Sequence, residues 1–185
     1  MRDVVRISKF MSKVLRHQPE LIGMHLDPNG WADVDELISG MNKKGFSVSI
    51  EDIKDAVRTN NKRRFAFSLD EKRIRARQGH SIEVDVEAPE TAPPSKLYHG
   101  TALKFMESIR NSGLTPQRRL HVHLSADIMT AESVGRRHGK PVVLEIDAAS
   151  MAADGFKFHL SENGVWLTQR VPVLYIEEKF AAMPM

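Results

Sequence analysis

Apolar residues recur at helical spacing from the start of the chain. Val4, Ile7, Met11 and Val14, with Phe10 and Leu15 alongside, mark one face of a helix that Pro19 stops after Arg16-His17. Asp27-Pro28-Asn29-Gly30 is a turn signal. Asp33 with Glu36 predicts the N-terminus of a helix carrying Val34, Leu37, Ile38 and Met41 and closing near Gly45, and Ser49 with Asp52 repeats the logic for Ile50, Ile53 and Val57. The period then changes: 64–67 and 73–76 flank Ser68-Leu69-Asp70-Glu71-Lys72 as the arms of a hairpin. Helices followed by a hairpin is the plan of a winged helix-turn-helix, which serves nucleic-acid binding and also purely protein–protein roles.

The second half mixes the two periods. Short strands are expected at 97–99, 121–125, 141–146, 156–158, 164–168 and 173–176, with helices over about 102–111 and 127–138 and Gly113 past the end of the first. Between the halves, Glu87 to Lys96 (EAPETAPPSK) holds acids and three prolines without one large apolar side chain, which reads as a stiff linker. The expected fold class is therefore α+β, in two domains, 1–90 and 96–185, with no internal repeat.

Composition narrows the function. With 41% hydrophobic and 28% charged residues the chain is too well mixed for disorder, and no apolar run approaches the roughly 20 residues that span a bilayer. No signal-peptide core follows the N-terminus, so a cytoplasmic protein with no membrane partner is expected. Cysteine is absent, which removes disulfides, thiolate metal sites and cysteine nucleophiles together. The net charge is only +3, but nine of the residues from Lys54 to Arg77 are basic and three acidic. Arginine dominates that stretch and suits bidentate recognition of phosphate, although a solvated charged hairpin would look the same.

Several groups invite chemistry. His99, His121 and His123 suggest a metal, but no orienting carboxylate lies in their segment, and histidines lining a pocket are the simpler reading. His99-Gly100-Thr101 and His123-Leu124-Ser125 share the His-x-Ser/Thr form of phosphoesterases that open cyclic phosphates, where each histidine is an acid or base; the symmetric repeat expected around such a pair is missing. Arg16-His17 reads first as cations complementing a helix C-terminus, and Arg64 and Arg119 as surface arginines. Asn163-Gly164-Val165-Trp166 is a hairpin turn first. No GxGxxG fingerprint marks a Rossmann fold.

Taken in order, longer blocks carry a resemblance. Residues 10–19 (FMSKVLRHQP), 27–33 (DPNGWAD), Arg64-Phe65 and 74–81 (IRARQGHS) resemble the N-terminal lobe of the NAD-dependent RNA 2′-phosphotransferases. Residues 97–101 (LYHGT), 121–125 (HVHLS), 135–139 (GRRHG) and 162–168 (ENGVWLT) resemble the second lobe. The resemblance implies a winged-helix RNA lobe, an ADP-ribosyltransferase-like α/β lobe and a site in the cleft between them. It implies transfer of an internal RNA 2′-phosphate to NAD, giving 2′-OH RNA, ADP-ribose 1″,2″-cyclic phosphate and nicotinamide through a 2′-phospho-ADP-ribosylated RNA intermediate, as in tRNA splicing. The family's catalytic set falls on Arg16, His17, Arg64 and Arg119, not on the neighbouring Arg63 and Arg118. His99, Gly100, Thr101, Ser125, Gly135, Arg136 and Arg137 are the implied NAD contacts. NAD is the only cofactor implied, no metal is expected, and the partner is a tRNA-like RNA met by a monomer. ADP-ribosylation of terminal nucleic-acid phosphates, a 2H-like cyclic phosphodiesterase and a non-catalytic nucleic-acid-binding module are the alternatives.

Overall fold

A computed structural model describes residues 3–179. The chain divides into two compact units, Met1–Glu87 and Ala88–Met185, each with its own core.

In the first unit, Asp3 caps helix α1 (Val4–Arg16) by accepting from the Arg6 amide at 3.0 Å. The expected stripe is the buried one, with Ile7, Met11, Val14 and Leu15 in the core. A 3-10 turn over Pro19–Ile22 follows. The Asp27–Gly30 turn closes with the Gly30 amide on the Asp27 carbonyl at 2.9 Å, and Gly30 takes the left-handed φ of +79° that such a turn reserves for glycine. It leads into strand β1 (Trp31–Asp33), which the apolar pattern does not announce. Asp33 caps α2 (Val34–Lys43), and Ser49 with Asp52 forms a reciprocal capping box on α3 (Ile50–Arg58). Strands β2 (Phe65–Phe67) and β3 (Arg73–Ala76) form the hairpin, and β3 is the centre of an antiparallel sheet of order β1-β3-β2. Ile74 pairs with Ala32 on one side and Phe67 on the other, which pins the hairpin to the helical core.

In the second unit, β4 (Lys96–Ala102), β6 (Pro141–Asp147) and β9 (Ile176–Lys179) make one antiparallel sheet of order β4-β6-β9. Strands β5 (Val122–Leu124), β8 (Trp166–Thr168) and β7 (His159–Leu160) make another, of order β5-β8-β7. A paired bridge of Tyr98 with Ser125 joins them, each amide donating to the other's carbonyl at 2.9 and 2.7 Å. Leu97, Val142, Leu144 and Ile146 face a common core with Val122, Leu124, Phe158 and Trp166. Helix α4 (Met106–Ser112) ends at Gly113 after a short 3-10 turn, α5 (Ile128–Gly135) is capped by Asp127, and α6 (Ala148–Ala153) follows β6.

Two strand expectations are corrected. Phe156-Lys157-Phe158 is not a strand, because its carbonyls are taken outside any ladder: that of Lys157 by the Thr168 hydroxyl at 3.0 Å and that of Phe158 by the Thr91 amide at 2.8 Å. Val173–Tyr175 is a 3-10 turn, started by Pro172, and the strand begins only at Ile176. Most of the proline-rich segment is fastened to the second unit: Ala88 accepts from His159 Nδ1 at 2.9 Å, and Glu90 pairs with Lys157 at 2.8 Å. Among the described residues no helix is long and apolar enough to cross a membrane.

Candidate active site

Each unit gathers its own cations. In the first, Arg16 and His17 end α1, where the last carbonyls of a helix look for donors and its dipole favours positive charge. The Ser81 amide donates to the Arg16 carbonyl at 3.0 Å, and Ser81 Oγ lies 2.9 Å from His17 Nδ1. Beneath them His80 is 2% exposed, with its Nε2 buried and lacking a hydrogen-bond partner. Burial, reinforced by the positive charges of Arg16, His17 and Arg75, pushes the His80 pKa down to about 4.

This buried imidazole makes stability depend on pH with a definite sign. Above about 6.5, the ordinary histidine value, the ring is neutral folded and unfolded alike. Between there and about 4 only the unfolded chain takes the proton, so stability falls as pH drops through that window. The expected loss is up to roughly 3 kcal/mol. Urea midpoints of wild type and His80→Gln at pH 7 and pH 4.5 check it: the wild type should lose more stability than the variant, and equal losses would contradict the assignment.

Arg64 sits just before β2 and is held there by its neighbours. Asn60 Oδ1 accepts from the Arg64 amide at 3.4 Å and from Arg64 Nη1 at 3.3 Å, while Asn60 Nδ2 donates to Ser8 Oγ on α1 at 3.0 Å. The Arg77 amide donates to the Arg64 carbonyl at 2.9 Å, and Arg77 Nε to the Phe65 carbonyl at 3.1 Å. Burial, then the charges of Arg63 and Arg75, lower the Arg77 pKa, the mark of cations crowded together. Only four peptide steps, from Arg77 to Ser81, about 14 Å of chain at most, separate the Arg64 pin from the Arg16 pin. The structure thus brings the surroundings of Arg16, His17 and Arg64 onto one short strap.

In the second unit, Arg119 Nη1 donates to His123 Nδ1 at 2.8 Å, and His99 Nδ1 donates to the His123 carbonyl at 2.9 Å. An arginine has only donors, so His123 Nδ1 is the acceptor and its ring proton sits on Nε2. His99 is fixed the other way round, with its proton on Nδ1 and a lone pair on Nε2. Burial lowers its pKa most, the charges of Arg119 and His138 lower it further, and the bond to His123 opposes them. Partial desolvation also lowers the pKa of Arg119, which remains a cation.

The remaining implied contacts fall around α5. Gly100 and Gly135 are the places where α5 touches β4: a Cβ on Gly100 would lie 1.6 Å from the Ala131 carbonyl oxygen, and one on Gly135 2.5 Å from that of Thr101. Thr101 is buried beside them, and Ser125 holds Tyr98 across the seam. Arg136 is bonded to Glu132 at 2.7 Å, and Arg137 is exposed. His121 lies in ring contact with His159, not in a histidine cluster with His99, and among the described residues no group of three or more His, Cys, Asp or Glu is arranged to hold a metal. Sequence reasoning missed Asn60, Arg77, His80 and Ser81 as supports. The last three lie in a block that carried the resemblance, while Asn60 had only its turn-forming Asn60-Asn61 context.

Comparison with known proteins gives these groups a setting. Residues 2–170 match the model of the RNA 2′-phosphotransferase, Tpt1 / KptA family. A "probable RNA 2′-phosphotransferase" of Hahella chejuensis is 53% identical over 169 residues, covering 91% of each chain. That of Flavobacterium johnsoniae is 55% identical over 173 residues, covering 94% of this chain and 95% of the relative. That of Pseudomonas aeruginosa is 55% identical over 172 residues, covering 92% and 94%. With a family match across almost all of its length and relatives at this identity, the chain belongs to the RNA 2′-phosphotransferases of the Tpt1/KptA family.

Proposed function

We propose that this RNA 2′-phosphotransferase removes an internal 2′-phosphate with NAD as the acceptor, and that Arg16, His17, Arg64 and Arg119 serve the phosphate. The carrying observation is a set of cations held at defined positions: Arg16 and His17 at the end of α1, Arg64 on Asn60 and Arg119 on His123. A phosphate monoester is already anionic at neutral pH, so its attack on the anomeric carbon that bears nicotinamide needs no protein base. It needs aiming, and guanidinium groups offer fixed forks of donors for that task. Nicotinamide leaves with the electrons of the broken glycosidic bond. In the second step the ribose 2″-OH attacks phosphorus, the RNA 2′-oxygen departs and takes up a proton, and charge grows on the phosphoryl oxygens, where an arginine clamp is most effective.

For the acceptor, the second unit fits in kind. His99 Nε2 presents a lone pair suited to a ribose hydroxyl, and Arg137 beside the Gly135 contact supplies charge suited to a pyrophosphate. Gly100, Thr101, Ser125, Gly135 and Arg136 line the same β4–α5–β5 region. The three helices and basic β2–β3 hairpin support reading the first unit as a winged-helix RNA module, and the paired antiparallel sheets support an ADP-ribosyltransferase-like second unit.

The test is one incubation of the protein, without added metal, with a short RNA carrying a single internal 2′-phosphate, with and without NAD. Loss of the phosphate only with NAD, together with nicotinamide and ADP-ribose cyclic phosphate, is expected. Phosphate loss without NAD would replace this reading with a phosphoesterase.

A further inference from the structure

The turn that delivers Arg64 is built around one neutral side chain. Helix α3 ends at Arg58 and β2 begins at Phe65, so the chain must reverse between them. Asn60 organises that passage with both of its oxygens. Its carbonyl accepts the Arg63 amide at 2.8 Å, and Oδ1 accepts the Lys62 amide at 3.2 Å, the Arg64 amide at 3.4 Å and Arg64 Nη1 at 3.3 Å. To let the turn close, Arg63 takes a left-handed φ of +45°, which side chains other than glycine rarely adopt. Two of the donors at Oδ1 are main-chain N–H groups, which cannot accept. The carboxamide therefore has its oxygen toward Arg64 and its nitrogen toward α1, where Nδ2 donates to Ser8 Oγ at 3.0 Å. One side chain holds Arg64 by its backbone and its guanidinium together, and ties it to the helix that ends in Arg16 and His17.

That the side chain is an amide and not an acid has a consequence. Aspartate has nearly the same shape and would accept from the same three donors. The Ser8 hydroxyl, which donates as readily as it accepts, would turn to meet it. A carboxylate would even bind the guanidinium more strongly. It would also add a full negative charge beside Arg64, at the range from which a phosphate oxygen must approach, and oppose that approach. An amide oxygen aims the fork and adds no charge.

We propose that Asn60 is a positioning and specificity-determining residue: its carboxamide aims the Arg64 guanidinium without bringing negative charge to it, and so favours RNA carrying a 2′-phosphate over the same RNA with a 2′-OH. This rests on the reading that places Arg64 at that phosphate, and the experiment separates the two.

The measurement is equilibrium binding, without NAD, of a short RNA with one internal 2′-phosphate and of its 2′-OH counterpart. It is made at about 0.15 M salt, where exposed charges more than about 8 Å apart are largely screened. The wild type should prefer the phosphorylated RNA. Asn60→Asp should lose roughly tenfold of that preference, the scale of one charge-assisted hydrogen bond, while its affinity for the 2′-OH RNA stays near the wild type. Asn60→Ala, which removes the aim and adds no charge, should lose a smaller part of the preference. A purely structural role predicts the reverse order, with the near-isosteric Asn60→Asp matching the wild type and only Asn60→Ala impaired, and that result would overturn the proposal. Equal losses on both RNAs would likewise overturn it, leaving a general effect of charge or folding. Full preference in Arg64→Ala would overturn the reading of Arg64 and the role of Asn60 with it, whereas full preference in both Asn60 variants beside its loss in Arg64→Ala would overturn the role of Asn60 alone.

Discussion

Arg119→Ala should let the proposed reaction begin and fail to finish it, so that RNA bearing a 2′-phospho-ADP-ribosyl group accumulates while 2′-OH RNA forms about 10² to 10³ times more slowly. The asymmetry follows from where charge appears. In the first step the phosphate brings its own negative charge, and the bond that breaks is on the sugar of the acceptor. In the second step the phosphodiester carries one charge and must spread more over its oxygens as the 2″-OH attacks and the RNA oxygen leaves. A donor fork earns its largest gain there, because it binds the transition state better than the ground state. Arg119 suits that role: His123 Nδ1 takes one of its nitrogens at 2.8 Å, which fixes the plane of the guanidinium and leaves its other donors to a ligand. Arg119→Lys keeps the charge without the fork and should recover only part of the second step. Separation of RNA products after a single turnover checks the result; unreacted substrate alone in Arg119→Ala would move the residue to the first step.

What could be read in the sequence depended on the range of the interaction. The α1 face, the Asp33 cap and the Ser49–Asp52 capping box are decided within a few residues, and each is present. Helix α6 was missed because Ala148–Ala153 is too short to show a period, and β1 because three residues after a turn carry no alternation. Val173–Tyr175 looked like a strand since an apolar triplet fits either state, and Pro172 decided it. The site divides in the same way. Arginines and histidines announce phosphate chemistry by type, but their roles came only from the resemblance. The contact of His17 with Ser81 crosses 64 residues, and that of Asn60 with Ser8 crosses 52, so no local pattern encodes either.

Gly100→Ala should be the most damaging small substitution in the second unit, costing about 4 kcal/mol or more. Overpacking ordinarily costs about 1–3 kcal/mol because side chains give way, and here none is available to do so. The added methyl would stand 1.6 Å from the Ala131 oxygen, 2.5 Å from its carbonyl carbon and 2.9 Å from the Gly135 amide nitrogen, all of them main chain. Strand β4 cannot retreat, since it is paired with β6 along seven residues, from Lys96–Asp147 to Ala102–Pro141. Helix α5 must therefore lift, and it lifts against a second close contact, Gly135 on Thr101. Gly164→Ala is the control: nothing lies within 4 Å of its Cβ, so only the positive φ of +78° is strained, at about 1 kcal/mol. The chain has two tryptophans, Trp31 in the first unit and Trp166 in the second, so in a Trp31→Phe background urea unfolding followed by fluorescence reports the second unit alone. A Gly100→Ala midpoint no lower than that of Gly164→Ala would show that α5 does not rest on the β4 backbone. The expected large loss has a functional counterpart, because Arg136 and Arg137 follow directly on α5. Lifting the helix displaces them together, so if they hold NAD as proposed, the weakened variant should show a raised KM for NAD before it loses kcat.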